Sequence, residues 1–203
     1  MKPSEKTQNK RVIIEKKQLV FNDRFKIEEA YLKYEKFNGD LSPTMRRLNF
    51  ERGDAAAIMV YNTDTQTVIL TDQFRYPTYG KGDGWLIEIA AGVLDKDEKP
   101  EDTIKREMIE EIGYKVNQLV PLYTFFTTPG GSSERIFLYY AEVTNADNVS
   151  DGGGIESDGE DIRIVEYTLA ELWNALDTGT LQDAKTLIAA LWLRNNLNKL
   201  NAK

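Results

Sequence analysis

Apolar residues recur along this chain at two different periods, and the change from one to the other marks out its elements. Alternating or continuous apolar runs rich in β-branched and aromatic residues predict strands at 12–14, 19–21, 25–34, 45–50, 55–61, 67–75, 85–89, 120–127, 136–143 and 162–167. Asn38-Gly39 is a hairpin-turn signal ahead of the run at 45–50, and Asn62-Thr63-Asp64-Thr65 is a polar turn between two others. Helical spacing takes over after Lys99, where Ile104, Met108 and Ile112 recur every fourth residue. Further helices are expected at 169–177 and 183–200, the last with Leu187, Ile188, Leu191 and Trp192 on its apolar face. Residues 80–84 and the glycine-bearing acidic stretch 145–161 read as loops. Strands and helices mixed in this way predict an α/β (α+β mixed) fold around a mixed sheet. Residues 1–11 are expected to be a solvated tail, 12–53 an N-terminal antiparallel β extension with no core of its own, and 54–203 the main domain.

The helix after Lys99 carries the most distinctive polar pattern. Pro100 suits its first turn, Glu101 and Asp102 sit at the positive end of its dipole, and Gly113 can supply a left-handed cap. Glu107 and Glu111 are four residues apart, so they share one face beside the apolar stripe, with Glu110 close by. Like charges at this spacing oppose helix formation by about 0.2–0.5 kcal/mol per pair, and by more when partly desolvated. A hard divalent cation would offset them, and Mg2+ characteristically sits on one or two carboxylates plus substrate phosphates. For an isolated Glu-x-x-Glu-Glu the plainer reading is a solvated acidic face, and the surrounding residues decide between the two.

Composition narrows the chemistry. At 203 residues the chain can bury one good core, and its net charge of −7 argues against a nucleic-acid backbone as partner. With no cysteine, disulfides, thiolate catalysis and cysteine-type zinc sites are excluded. With no histidine, a general base must be a carboxylate, a lysine, a tyrosine or a metal-activated water. The basic, polar start MKPSEKTQNKR lacks the apolar segment of a signal peptide. No apolar run reaches the ~18–20 residues of a membrane helix, so a cytoplasmic protein with no membrane partner is expected.

Residues 92–114 read GVLDKDEKPEDTIKREMIEEIGY. Gly92, Glu98, Arg106, Glu107, Glu110, Glu111 and Gly113 stand at the spacing G-x5-E-x7-R-E-U-x-E-E-x-G-U, where U is a bulky aliphatic residue. The stretch resembles the Nudix box; Tyr114, in the last U position, is its one soft departure. Beyond the box, residues from about 37 to 193 resemble one Nudix branch, the ADP-ribose pyrophosphatases and their relatives that cleave GDP-mannose. The resemblance is carried by Phe37-Asn38-Gly39, Arg46-Arg47-Leu48-Asn49-Phe50-Glu51-Arg52-Gly53 and Asp72-Gln73-Phe74-Arg75-Tyr76-Pro77. It continues in Glu88-Ile89-Ala90-Ala91-Gly92, Thr128-Pro129-Gly130-Gly131-Ser132-Ser133-Glu134 and Glu160-Asp161-Ile162. Leu48 stands where relatives often carry a polar residue.

The resemblance implies a Nudix α/β/α sandwich and a homodimer whose N-terminal strands pack across the two-fold. It implies a Mg2+-dependent hydrolase, with Mn2+ able to substitute, acting on the pyrophosphate of a nucleoside diphosphate sugar. The implied metal ligands are Glu107, Glu111, Glu160 and the carbonyl of Ala91, with Glu110 sharing or orienting that shell and Arg106 holding the glutamates. Glu160 matches a loop glutamate that acts as catalytic base or completes the metal shell, and Glu156 is the second candidate. Arg75 matches an arginine that reaches the pyrophosphate, and Glu134 a glutamate that bonds ribose hydroxyls. Arg47 and Phe25 match positions that hold the base, and Lys185 matches a lysine of the GDP-mannose relatives. ADP-ribose, giving AMP and ribose 5-phosphate, is the expected substrate. GDP-mannose, giving GMP and mannose 1-phosphate, is the alternative, and a non-catalytic nucleotide-sugar sensor is the second.

Overall fold

The structure, a computed structural model, describes residues 11–200, so the expected tail 1–11 lies, but for Arg11, outside the described residues. Two compact units divide the chain: 1–53 with 128–134, and 54–127 with 135–203.

The first unit is an antiparallel sheet of β1 (Val12–Asn22), β2 (Lys26–Tyr34) and β3 (Met45–Glu51), in that order. The Asn38-Gly39 signal lies in the β2–β3 connection, where Gly39 donates its N–H to the Lys36 carbonyl at 3.0 Å. Segment 128–134 joins β3 through a parallel bridge between Phe50 and Ser132, and Ser132 Oγ donates to the Phe50 carbonyl at 2.8 Å. β1 is exposed along its whole length, and among the described residues neither hydrophobic cluster includes one of this unit. A sheet with so little to bury matches the sequence pattern, which shows no core there.

The second unit is built on a seven-stranded mixed sheet. Its strands are β4 (Ala55–Asn62), β5 (Thr67–Phe74), β6 (Trp85–Glu88), β7 (Ala90–Val93), β8 (Val120–Phe126), β9 (Arg135–Val143) and β10 (Ile162–Thr168). The path runs β10-β5-β4-β9-β8, with β6 on β5 and β7 on β4, and β4 with β9 is the parallel pair. β4 is apolar nearly throughout because helices cover both its faces. Ala56, Ile58 and Val60 pack with Ile104, Met108 and Ile112 of the box helix, whose first part is α2 (Pro100–Glu107). Ala57 and Met59 pack with Leu172 of α3 (Leu169–Thr178) and with Ala189, Ala190 and Leu193 of α4 (Ala184–Leu200). Helix, sheet and helix make the α/β/α sandwich. Among the described residues no helix is long and apolar enough to cross a membrane.

Several details differ from the sequence expectation. The box helix does not finish as an α-helix: Met108–Ile112 winds as a π turn, which Gly113 ends at φ +81° with its N–H on the Met108 carbonyl. Such turns recur at functional sites. α4 buries Ala189, Ala190 and Leu193, whereas Leu191 is 42% exposed, because its inner stripe is made largely of small residues that a search for large ones passes over. β7 reads AAGV, too short to show a period. A short helical turn, α1 (Tyr76–Tyr79), follows β5. α3 starts from a capping box, in which Thr168 Oγ1 accepts from Glu171 N–H and Glu171 accepts from Thr168 N–H.

Candidate active site

Each fixed position of residues 92–113 has a local task. A Cβ on Gly92 would stand 1.9 Å from Glu107 Oε1 and 2.4 Å from its Cγ, so only glycine lets the carboxylate lie against β7. Glu98 accepts from the Asp95 N–H at 3.1 Å, closing the loop before the helix, and lies 3.7 Å from Arg106 Nη2. Arg106 Nη1 stands 2.8 Å from Glu107 Oε1 and 2.9 Å from Glu110 Oε2. One guanidinium therefore links three acids of the pattern.

Glu107 and Glu111 are both buried. Glu111 Oε2 accepts from the Ala91 N–H at 3.0 Å. Burial pushes the Glu111 carboxyl up to about 8; the Ala91 hydrogen bond and Arg75 oppose this, and the charges of Glu107 and Glu160 add to it. Burial also raises Glu107, with Arg106 opposing and Glu110 and Glu160 adding. The solvated acidic face is thereby excluded for this pair. Two desolvated carboxylates under the repulsion of two more, offset only in part by Arg106 and Arg75, form a hard-oxygen donor set that fits a divalent cation. Among the described residues no group of three or more acids stands close enough to hold an ion as arranged. The reason is visible in the partners: Glu111 is turned onto the Ala91 amide and Glu107 onto Arg106.

Arg75 and Lys185 share one buried acid. Arg75 donates to Glu88 Oε2 from Nε at 2.9 Å and from Nη2 at 2.7 Å. Lys185 Nζ lies 3.2 Å from Glu88 Oε1 and 2.9 Å from Asp183 Oδ1. Glu88 has no role in the sequence reading; the signal available was an acid between Ile87 and Ile89 in an otherwise apolar strand, since acids are buried only when paired. Glu160 is half-buried and accepts from the Ile155 N–H at 3.0 Å, whereas Glu156 is exposed. The acidic stretch is in large part hydrogen-bonded rather than plain coil: Gly153 and Gly154 donate to the carbonyls of Glu111 and Glu110, both at 2.9 Å.

Phe25, Arg47 and Glu134 belong to the first unit. Phe25 makes an edge contact with Phe50 at 5.3 Å and is 38% exposed. Arg47 is exposed and donates to the Arg46 carbonyl. Glu134 is buried, with Arg52 Nε 3.1 Å from its Oε1. In the second unit an open cavity of about 670 Å3 is lined by Asp72, Asp83, Trp85, Ile87, Asp161 and Arg163. Asp72 alternates with Thr71 and Gln73 and so continues the β5 face of Val68 and Leu70, away from the box helix.

The profile of the NUDIX domain matches residues 51–190. The chain belongs to the Nudix family. It is 41% identical over 145 residues to a GDP-mannose pyrophosphatase of Cronobacter sakazakii, covering 70% of this chain and 74% of that one. A GDP-mannose pyrophosphatase of Pectobacterium atrosepticum is 38% identical over 178 residues, 87% of this chain and 90% of its own. Among solved structures, an ADP compounds hydrolase superposes with a TM-score of 0.70 over 97% of this chain and 98% of that one, at 21% identity. That likeness establishes the shared Nudix fold.

Proposed function

We propose that this Nudix hydrolase splits the pyrophosphate of a nucleoside diphosphate sugar. Water attacks one phosphorus, the bridging P–O bond breaks, and a nucleoside monophosphate and a sugar phosphate are released. The observation that carries the reading is the buried pair Glu107 and Glu111 on the box helix, with both carboxyls raised above their ordinary range.

Mg2+, or Mn2+ in its place, is the ion this donor set would hold, on Glu107, Glu111, Glu160 and the Ala91 carbonyl. Bound there it supplies positive charge to the pyrophosphate and makes water a better nucleophile. Arg106 orients Glu107 and Glu110 through its ion pairs with both. Glu160 completes the metal shell or takes the proton of the attacking water, a carboxylate being one of the bases open to a chain without histidine. Arg75 bonds Glu88 through Nε and Nη2 and directs the rest of its guanidinium to the pyrophosphate.

GDP-mannose stands ahead of ADP-ribose as substrate, the reverse of the order read from sequence. Relatives at 38–41% identity carry that activity in their names, and Lys185 is built into the ion network that also holds Arg75. Product-resolved hydrolysis with Mg2+ is expected to give GMP and mannose 1-phosphate, with kcat/KM at least about tenfold above that for ADP-ribose, a difference of ~1.4 kcal/mol in transition-state binding. The opposite preference would reverse the base and sugar while keeping the reaction. If both compounds were bound and left intact, the hydrolase reading would give way to the nucleotide-sugar sensor.

Two copies associate through the first unit, where β1 exposes Val12, Ile14, Leu19 and Phe21. Sedimentation equilibrium should return about twice the 23.2 kDa chain mass, and a single-chain mass at every loading would sink the dimer.

A further inference from the structure

We propose that Gly154 is the positioning residue for Glu160, setting where the loop carboxylate stands relative to the box helix. This rests on the reading of Glu160 as the loop acid of the site.

The box helix ends in a π turn whose last carbonyls have no partner within the helix, as at every helix C-terminus. The loop that follows β9 supplies those partners. Ser150 Oγ donates to the Ile109 carbonyl at 3.0 Å, Gly153 N–H to the Glu111 carbonyl at 2.9 Å, and Gly154 N–H to the Glu110 carbonyl at 2.9 Å. Gly152, Gly153 and Gly154 have φ of 63°, 101° and 82°, a left-handed run that side chains rarely tolerate. The chain then folds back on itself. Ile155 N–H donates to Glu160 Oε2 at 3.0 Å, Glu160 N–H to the Ile155 carbonyl at 3.3 Å, and Ile162 N–H to the Gly153 carbonyl at 3.1 Å.

The return path brings Glu160 over the bare Cα of Gly154. A Cβ there would stand 2.7 Å from Glu160 Cβ, 2.9 Å from its Oε2 and 3.1 Å from Ile162 Cδ1. The first of these atoms is fixed close to the backbone and cannot swing aside as a side-chain tip can. One residue thus touches both parts: its N–H bonds the carbonyl of Glu110, and its missing side chain is the space Glu160 occupies. The distance from the loop acid to Glu107 and Glu111 is set through Gly154.

Gly159 provides the control. It has φ +77° and nothing within 4 Å of a Cβ position, so alanine there carries the same backbone penalty without the collision. The test measures kcat, KM and thermal midpoint for Gly154→Ala, Gly159→Ala and Glu160→Gln, on whichever of GDP-mannose and ADP-ribose the wild type turns over faster. Gly154→Ala is expected to lower kcat at least ~10-fold with KM within about twofold, because displacing a reacting group by ~1 Å can cost up to ~100-fold. Gly159→Ala, which lacks the collision, should lower the thermal midpoint no more than Gly154→Ala does and keep kcat within about twofold of wild type. In the Glu160→Gln background, Gly154→Ala should remove nothing further, since both changes act on one group. Gly154→Asn, which tolerates the left-handed backbone yet carries the Cβ, takes the place of the alanine variant if that fails to fold. A slow Glu160→Gln beside a Gly154 variant no slower than Gly159→Ala would overturn the positioning role alone. Wild-type kcat in Glu160→Gln would instead overturn the reading of Glu160.

Discussion

Replacing Glu111 by glutamine is expected to leave the fold intact, abolish stabilisation by Mg2+ and lower turnover by at least ~100-fold, the equivalent of ~2.7 kcal/mol from a metal-assisted step. Glutamine has the same volume, and its amide oxygen can still accept the Ala91 N–H that Glu111 accepts at 3.0 Å. What disappears is the negative charge. Because burial holds that carboxyl near 8 rather than 4.5, the substitution should also change how the metal-free protein responds to pH. Between those two values the unfolded chain has released the Glu111 proton while the folded chain still retains it. Folded-state stability in the wild type therefore declines as pH rises through that window, by up to about 1.4 kcal/mol per pH unit from this group. Glu107, raised in the same direction, adds to the decline. Glu111→Gln should be the more stable protein without metal at pH 8, and the wild type should recover its deficit on adding Mg2+, more so at pH 8 than at pH 6. Thermal melts at both pH values with and without Mg2+, alongside initial rates, check all of this. Wild-type turnover in the glutamine variant, or equal Mg2+ stabilisation of both proteins, would remove Glu111 from the metal site.

Glu160→Gln should lower kcat by about 10²–10⁴-fold, the usual contribution of a positioned general base. Its thermal midpoint should barely move, since Glu160 is half-buried and glutamine can still accept the Ile155 N–H. Glu156→Gln, on an exposed side chain four residues earlier, should remain within about twofold of wild type, as surface changes away from a site generally do. Steady-state kinetics on the two variants decides between them. A large loss in Glu156→Gln with none in Glu160→Gln would transfer the base to Glu156.

Most of the element order, the mixed α/β class and the box helix with its Gly113 cap were legible in the chain, because each depends on neighbours a few residues apart; β7 and the turn at Tyr76–Tyr79 were not, and the runs at 12–14 and 19–21 proved to be one strand, β1. Strand alternation, the four-residue stripe Ile104, Met108 and Ile112, and the pairing of Glu107 with Glu111 on one face are local periodicities of that kind. The acidic pattern also named its own chemistry, since no histidine or cysteine competes with its oxygen donors. Tertiary structure alone decided which of those acids lose their water. Glu107 is pressed against Gly92 and Glu111 against the Ala91 amide by a strand, β7, too short to announce itself, and only that packing raises their carboxyls. Likewise, Glu88 gathers Arg75 and Lys185 from positions 110 residues apart in sequence, and Gly154 meets Glu160 only once the loop has turned back. Periodicity says which residues share a face. Burial and charge pairing depend on what the rest of the chain brings to that face, and those are the terms that set a carboxylate's chemistry.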